Sequence, residues 1–158
     1  MIAKMLLASA LSINPALNAY IQQLAPKENK ARLERIGNFI DKEASWYDID
    51  PFTVAAIIAQ ESRFKKHSIS CTIRSCDWGI TQINDAVISE RHIDKIRLIN
   101  DDLYAIHIAF TMLYFLHTKY SNEINYWSRY HDSRPKQRLT YEVMVNELMK
   151  NKDSFVMN

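Results

Sequence analysis

The chain predicts a mainly helical protein with one short β-hairpin, on three observations. Only two glycines and four prolines occur among its 158 residues, too few turn-formers for an all-β fold. Apolar residues recur at steps of three and four over long stretches, the spacing of buried helix faces. The exception is a polar run bracketed by Cys71 and Cys76, which reads as a hairpin.

Residues 1–25 read as a leader and residues 26–158 as one domain, since no repeat, low-complexity tract or linker divides the rest. Met1 to Ala10 holds one lysine, an apolar run and an Ala-x-Ala pattern. It resembles a minimal export signal but falls short of the usual length of about 15 to 30 residues. A leader helix that packs on the domain or docks on a partner is the alternative. Pro26 is expected to open a helix whose Leu33, Ile36, Ile40, Ala44 and Tyr47 form a core stripe, with Asp41, Lys42 and Glu43 solvated. Asp50 before Pro51 is a start signal, because the carboxylate accepts an orphan N–H and proline lacks one. The spacing predicts a helix from Pro51 to Phe64, its stripe of Val54, Ile57 and Ile58 continuing to Glu61. After the hairpin, helices are expected over 85–92, 101–120, 123–131 and 139–150. The second of these, with Leu103, Ile106, Phe110, Leu113 and Leu116 on one face, has the strongest pattern and is expected to be central.

Composition narrows the function classes. The chain is 47% hydrophobic and 24% charged with a net charge of +2, which describes a domain able to bury a core. Basic residues are interspersed with acids, so no stripe suits nucleic acid. No apolar run reaches the roughly 18 residues of a transmembrane helix. Five dispersed histidines and a single cysteine pair make no metal site, and nothing calls for a cofactor.

Candidate chemistry centres on Glu61. On a buried face, apolar neighbours favour the protonated carboxyl, which can give its proton to a leaving oxygen; the plain alternative is a rim residue paired with Arg63 or Lys66. Asp77 is either a second carboxylate or a turn cap. Trp78, beside it, is a groove candidate or else core, and Trp127 is assigned to the core. Cys71 and Cys76 suit a disulfide that staples the loop bearing Asp77, implying an oxidising compartment or a virion; two free thiols are the alternative.

Glu61-Ser62-Arg63-Phe64 followed by Gly79-x-x-Gln82-Ile83 resembles the signature of lytic transglycosylases within the lysozyme-like superfamily. Tyr130-His131, Ser133, Pro135 and Tyr141, with Trp127 upstream, resemble the closing motif of that family in its Tyr-His-Ser form, seen in small enzymes of secretion systems and pilus assembly. The resemblance runs from Ile49 to Val145. It implies an α+β lysozyme-like fold and cleavage of the MurNAc–GlcNAc bond of peptidoglycan, with Glu61 as acid and base. Gln82 would line the sugar groove, the Tyr130 hydroxyl would orient Glu61 or the substrate, and Ser62 would lend support. With Trp78, Thr81, Asn84 and His131 these complete the candidate substrate-binding set. Thr81 departs from the usual Met or Leu, and the segment from Ser68 to Cys76 replaces a family loop. In c-type lysozymes an aspartate at the place of Asp77 is the second carboxylate of a hydrolase, so Asp77 joins Glu61 as a catalytic candidate. The readings left open are transglycosylase, lysozyme-type hydrolase, and a non-catalytic virion or assembly component. The expected partners are glycan strands and proteins of a secretion, pilus or phage machine, and the expected location is the periplasm, the cell wall or a virion.

Overall fold

The computed structural model describes residues 14–132 and 134–156; the leader residues Met1 to Ala10 lie outside them. Helices α1 (Pro15–Leu24), α2 (Lys30–Tyr47) and α3 (Pro51–Ser62) come first, followed by strands β1 (Ile69–Cys71), β2 (Cys76–Trp78) and β3 (Ile83–Asn84). Helices α4 (Asp85–Arg91), α5 (Lys95–Asn100) and α6 (Asp102–Lys119) follow, then a 3-10 turn (Tyr126–Tyr130), α7 (Pro135–Met149) and α8 (Asp153–Val156). The fold is mainly α with a small antiparallel sheet, as the spacing predicts.

Helix α3 begins as expected, the Asp50 carboxylate accepting from the backbone N–H groups of Phe52 and Thr53. It stops two residues earlier than predicted, at Ser62, because Arg63 and Phe64 both take left-handed backbone angles, with φ of 53° and 59°. Every residue from Phe52 to Ala59 is buried. The central helix is therefore α3 rather than α6, whose outer side leaves Tyr114 and Phe115 half exposed. A run such as Val54-Ala55-Ala56-Ile57-Ile58-Ala59 is covered all round and so displays little of the one-sided contrast that periodicity detects.

Around α3 pack α1, α2 and α7, and α6 lies against α2. Asn29, not Pro26, caps α2, its side chain accepting from the Arg32 N–H. The predicted stripe of Leu33, Ile36, Ile40 and Ala44 is buried, and Tyr47 stacks on Phe110 of α6. Two off-stripe residues are engaged rather than solvated: Asp41 accepts from Asn14 and Glu43 pairs with His107. Helix α1 contributes Leu17, Tyr20 and Ile21 to the same core, and the Tyr20 hydroxyl donates to the Leu148 carbonyl. The segment expected as a helix over 123–131 holds the 3-10 turn, and α7 starts at Pro135, earlier than predicted.

In the sheet, β2 pairs with β1 and with β3, so Ser70, Asp77 and Asn84 stand in one cross-strand row and Ile69, Trp78 and Ile83 in the next. Alternation sends the two rows to opposite faces. Cys71 and Cys76 face each other in register and form a disulfide. Gly79 turns the chain at φ +76°, where an added Cβ would lie 2.4 Å from the Leu98 carbonyl oxygen. The hairpin is tied to α4 and α5 through Asp85, whose carboxylate accepts from Lys95, the Cys76 N–H and the Trp78 indole; those bonds hold it below the usual aspartate range.

One ion pair fastens the turn after α3. Arg32 is almost wholly buried and donates in a fork to both oxygens of Asp102, at 2.7 and 3.0 Å. Its remaining nitrogen reaches Glu28 and, at 2.8 Å, the carbonyl of Phe64. Removing the guanidinium strands a buried carboxylate and frees the Phe64 carbonyl in the turn after α3. Arg32→Ala is expected to cost about 3–5 kcal/mol, read as a lower urea midpoint at unchanged slope; a loss below about 1 kcal/mol would show that the pair behaves as a surface contact.

Candidate active site

The last turn of α3, the sheet and α7 enclose a cleft of about 530 Å³. Glu61 stands on its wall with only 9% of its side chain exposed, as its place on the α3 stripe predicts. Ser70, Asp77 and Gln82 come from the hairpin side, and His131, Lys136, Gln137, Thr140, Tyr141 and Met144 from the opposite side.

The hydroxyl that reaches Glu61 belongs to Tyr141. It donates to Oε1 at 2.7 Å. Burial and the neighbouring Glu61 charge push its ionisation well above 10, so it remains a phenol. A phenol can donate to a carboxylate or accept from a carboxylic acid, and so partners Glu61 in either protonation state. The Tyr130 hydroxyl, expected to orient Glu61 or the substrate, donates to the Thr81 carbonyl at 2.9 Å and braces the turn between β2 and β3. Its ionisation is also pushed well above 10, first by burial and then by the Glu61 charge.

His131 lies flat on Tyr141, with ring centroids 4.9 Å apart and planes 4° from parallel. Its Nδ1 is 3.6 Å from Glu61 Oε1. Glu61 raises its pKa above the ordinary 6.5, against the opposing effect of burial. Next to it, the Arg134 guanidinium holds Asp132 down to about 2. Ser133 of the closing motif lies outside the described residues.

The other candidates divide. Gln82 lines the cleft at φ 50° and its amide donates to the Gly79 carbonyl. Asn84 is a positioning group: its amide donates to Asp77 at 2.7 Å, while its carbonyl caps α4. Ser62 is buried and donates to the Ile80 carbonyl at 2.7 Å, so it supports the wall without facing the cleft. Thr81 is fully buried and donates to the Ala105 carbonyl. Trp78 belongs to the opposite row of the sheet, with its indole N–H on Asp85 and Lys95 over its ring at 4.4 Å, and it is no groove wall. Trp127 is buried against Tyr141, as expected of core. Among the described residues no cluster of His, Cys, Asp and Glu has the geometry to hold a metal.

The sequence reading missed the contribution of α7. Starting that helix at Leu139 hid the helical spacing of Gln137, Thr140, Tyr141 and Met144 on one cleft-facing side. The signal was Pro135, a first-turn residue that starts the count four positions earlier.

Residues 38–144, more than half of the chain, match the family model described as the transglycosylase SLT domain. No curated protein and no solved structure matches the chain.

A raised histidine pKa in the folded state means that the ion pair of His131 with Glu61 adds stability fully present below about pH 6.5 and lost as pH rises through the raised value. Thermal melts of the protein and of His131→Gln should therefore differ most in mildly acidic buffer and converge at alkaline pH. A difference independent of pH would assign the effect to the ring stack alone.

Proposed function

The chain belongs to the transglycosylase SLT domain family, and on that basis we propose that it is a peptidoglycan lytic transglycosylase with Glu61 as its only acid and base. The observation that carries the reading is the buried Glu61 carboxyl on a cleft wall, held by a phenol suited to both of its protonation states.

In this reading a glycan strand lies in the cleft with the bond between N-acetylmuramic acid and N-acetylglucosamine beside Glu61. Glu61 gives its proton to the glycosidic oxygen as the bond to the anomeric carbon breaks, and the 2-acetamido group of the muramoyl sugar attacks that carbon. The Glu61 carboxylate then takes the proton of the muramoyl 6-hydroxyl, whose oxygen displaces the acetamido group and closes a 1,6-anhydro ring. The proton account balances: Glu61 ends protonated and no water is consumed. Throughout, Tyr141 turns its hydroxyl to match the state of Glu61, and His131 answers the negative charge when it appears. Gln82 and the α7 side chains offer hydrogen bonds to sugar hydroxyl and amide groups.

A lysozyme-type hydrolase is the second reading, favoured by Asp77, which shares the cleft and is fixed by Asn84. Carboxyls about 5 Å apart serve a retaining hydrolase, whereas a span of roughly 6.5 Å or more leaves room for a water. The family acts on peptidoglycan, outside the cytoplasm, and the Cys71–Cys76 disulfide suits an oxidising compartment. Among the described residues no helix is long and apolar enough to cross a membrane. The proposed role is a local opening of the wall for a secretion, pilus or phage genome-delivery machine, a reading supported by the Tyr130-His131-Ser133 form of the closing motif.

Mass spectrometry of digested cell wall separates the readings, since anhydro products are one water lighter than reducing-end products. Anhydro ends are expected, with Glu61→Gln lowering turnover by about a thousandfold and Asp77→Asn retaining the same product type. Reducing ends, lost in Asp77→Asn, would replace the proposal with the hydrolase. Tyr141→Phe deletes one hydroxyl from the Glu61 shell and should reduce kcat by about tenfold with an unchanged circular dichroism spectrum.

A further inference from the structure

The C-terminal half of α6 carries a run of rings and cations that no step of the proposed reaction uses. The Arg91 guanidinium, at the end of α4, lies 5.3 Å from the centre of the Phe115 ring. The Lys119 ammonium, one turn on from Phe115, lies 5.6 Å from that ring and 5.5 Å from the ring of Tyr120. Arg129 closes the run, its guanidinium 3.8 Å from the centre of Tyr120. These five side chains form one unbroken series of contacts across α4, α6 and the 3-10 turn, and none of them lines the Glu61 cleft.

Two properties of the series are left over after folding. Phe115 is half exposed, and the turn that follows Tyr120 leads to Ile124, which is 93% exposed. Arg129 is matched by Glu123, but Arg91 and Lys119 have no carboxylate within ion-pair distance among the described residues. Apolar side chains held in water beside unneutralised cations fit a partner that is negative at its face and apolar just beneath. A soluble anionic polymer would meet the cations and leave Phe115 and Ile124 in water. A bilayer with anionic headgroups meets both, since phosphates take the cations while the ring and the branched side chain enter the boundary with the acyl chains. The contacts already present suit that surface, because Arg and Lys lay an apolar stem along a ring and keep the charged head at the level of the phosphates.

We propose that this face docks the protein peripherally on an anionic phospholipid membrane, with Phe115 and Ile124 inserted and Arg91 and Lys119 on headgroup phosphates. Two cations and a net charge of +2 make the attachment weak and reversible. In a wall-cleaving enzyme it sets the cleft at the membrane side of the polymer. The face shares no residue with the cleft, so the inference stands whether or not glycan is cleaved.

Two measurements test it on the full chain. In the first, the protein is sedimented with vesicles of phosphatidylcholine alone or of phosphatidylcholine and phosphatidylglycerol mixed two to one. Partition onto the mixed vesicles is expected to exceed that onto the neutral ones by about thirtyfold, about fivefold for each cation, and to fall with added salt. Arg91→Gln combined with Lys119→Gln should erase that margin. Phe115→Ser should lower partition by about tenfold at any salt concentration, with the circular dichroism spectrum and the digestion of suspended cell wall unchanged. Equal partition onto both vesicles, no partition at all, or full binding by both variants would overturn the proposal. Binding to soluble polyphosphate with none to vesicles would assign the face to an anionic polymer instead. In the second, ¹⁵N-labelled protein is mixed with bicelles carrying the same two headgroups. The amide signals of Phe115, Lys119 and Ile124 should broaden while those of Asp77 and Gln82 stay sharp, which locates the face without any substitution. Broadening centred elsewhere on the molecule would refute the assignment.

Discussion

Enclosure of α3 on all sides is the constraint from which the rest of the molecule follows. Phe52, Val54, Ile57 and Ile58 are all buried, each at a gain of about 1.5–3 kcal/mol for a side chain of this size. They leave the helix no free direction in which to roll. A helix so confined delivers its last turn to one place, and Glu61 occupies that turn. The two left-handed residues that follow then break the helix line sharply, and the Ser62 and Arg32 hydrogen bonds to the Ile80 and Phe64 carbonyls fix the break. Positional precision at Glu61 is thus a property of the core, not of the cleft.

Much of this was legible in the sequence because the signals are local. The Asp50-Pro51 start, the stripe of α2 and the in-register cysteines all depend on neighbours within a few positions, and all appear in the structure. Glu61 was legible for the same reason. What was not legible depends on contacts between distant segments. Tyr130 and Tyr141 stand in the same motif, and only the packing of α7 against α3 decides that Tyr141 points to Glu61 while Tyr130 points to Thr81. Trp78 stayed open between groove and core in the sequence because the face of a three-residue strand is set by its register with β1 and β3, not by its own composition. Ser62 and Thr81 carry hydroxyls that suit sugars equally well, yet both are spent on buried carbonyls.

The cleft joins two kinds of wall. On the α7 side Tyr141, Trp127 and His131 form a layered aromatic block continuous with the core. On the sheet side the polar row of Ser70, Asp77 and Asn84 is held by hydrogen bonds and by Asp85, with little apolar burial beneath β1, whose residues are all exposed. Charge is also unevenly placed. Glu61 and Asp77 line the same cleft as two cationic groups, His131 and Lys136, and of these His131 stands against Glu61, its Nδ1 3.6 Å from Oε1.

The Cys71–Cys76 bridge has a consequence for how the protein fails. Since β1 is exposed and each long strand has only three residues, the outer lip of the cleft owes its shape to a covalent bond more than to the hydrophobic interior. Stress on the two halves is therefore separable: heat attacks the helical body, and a thiol reagent attacks the lip. A reduced molecule would melt almost as late as an oxidised one while having lost the firm edge against which a polymer strand must lie.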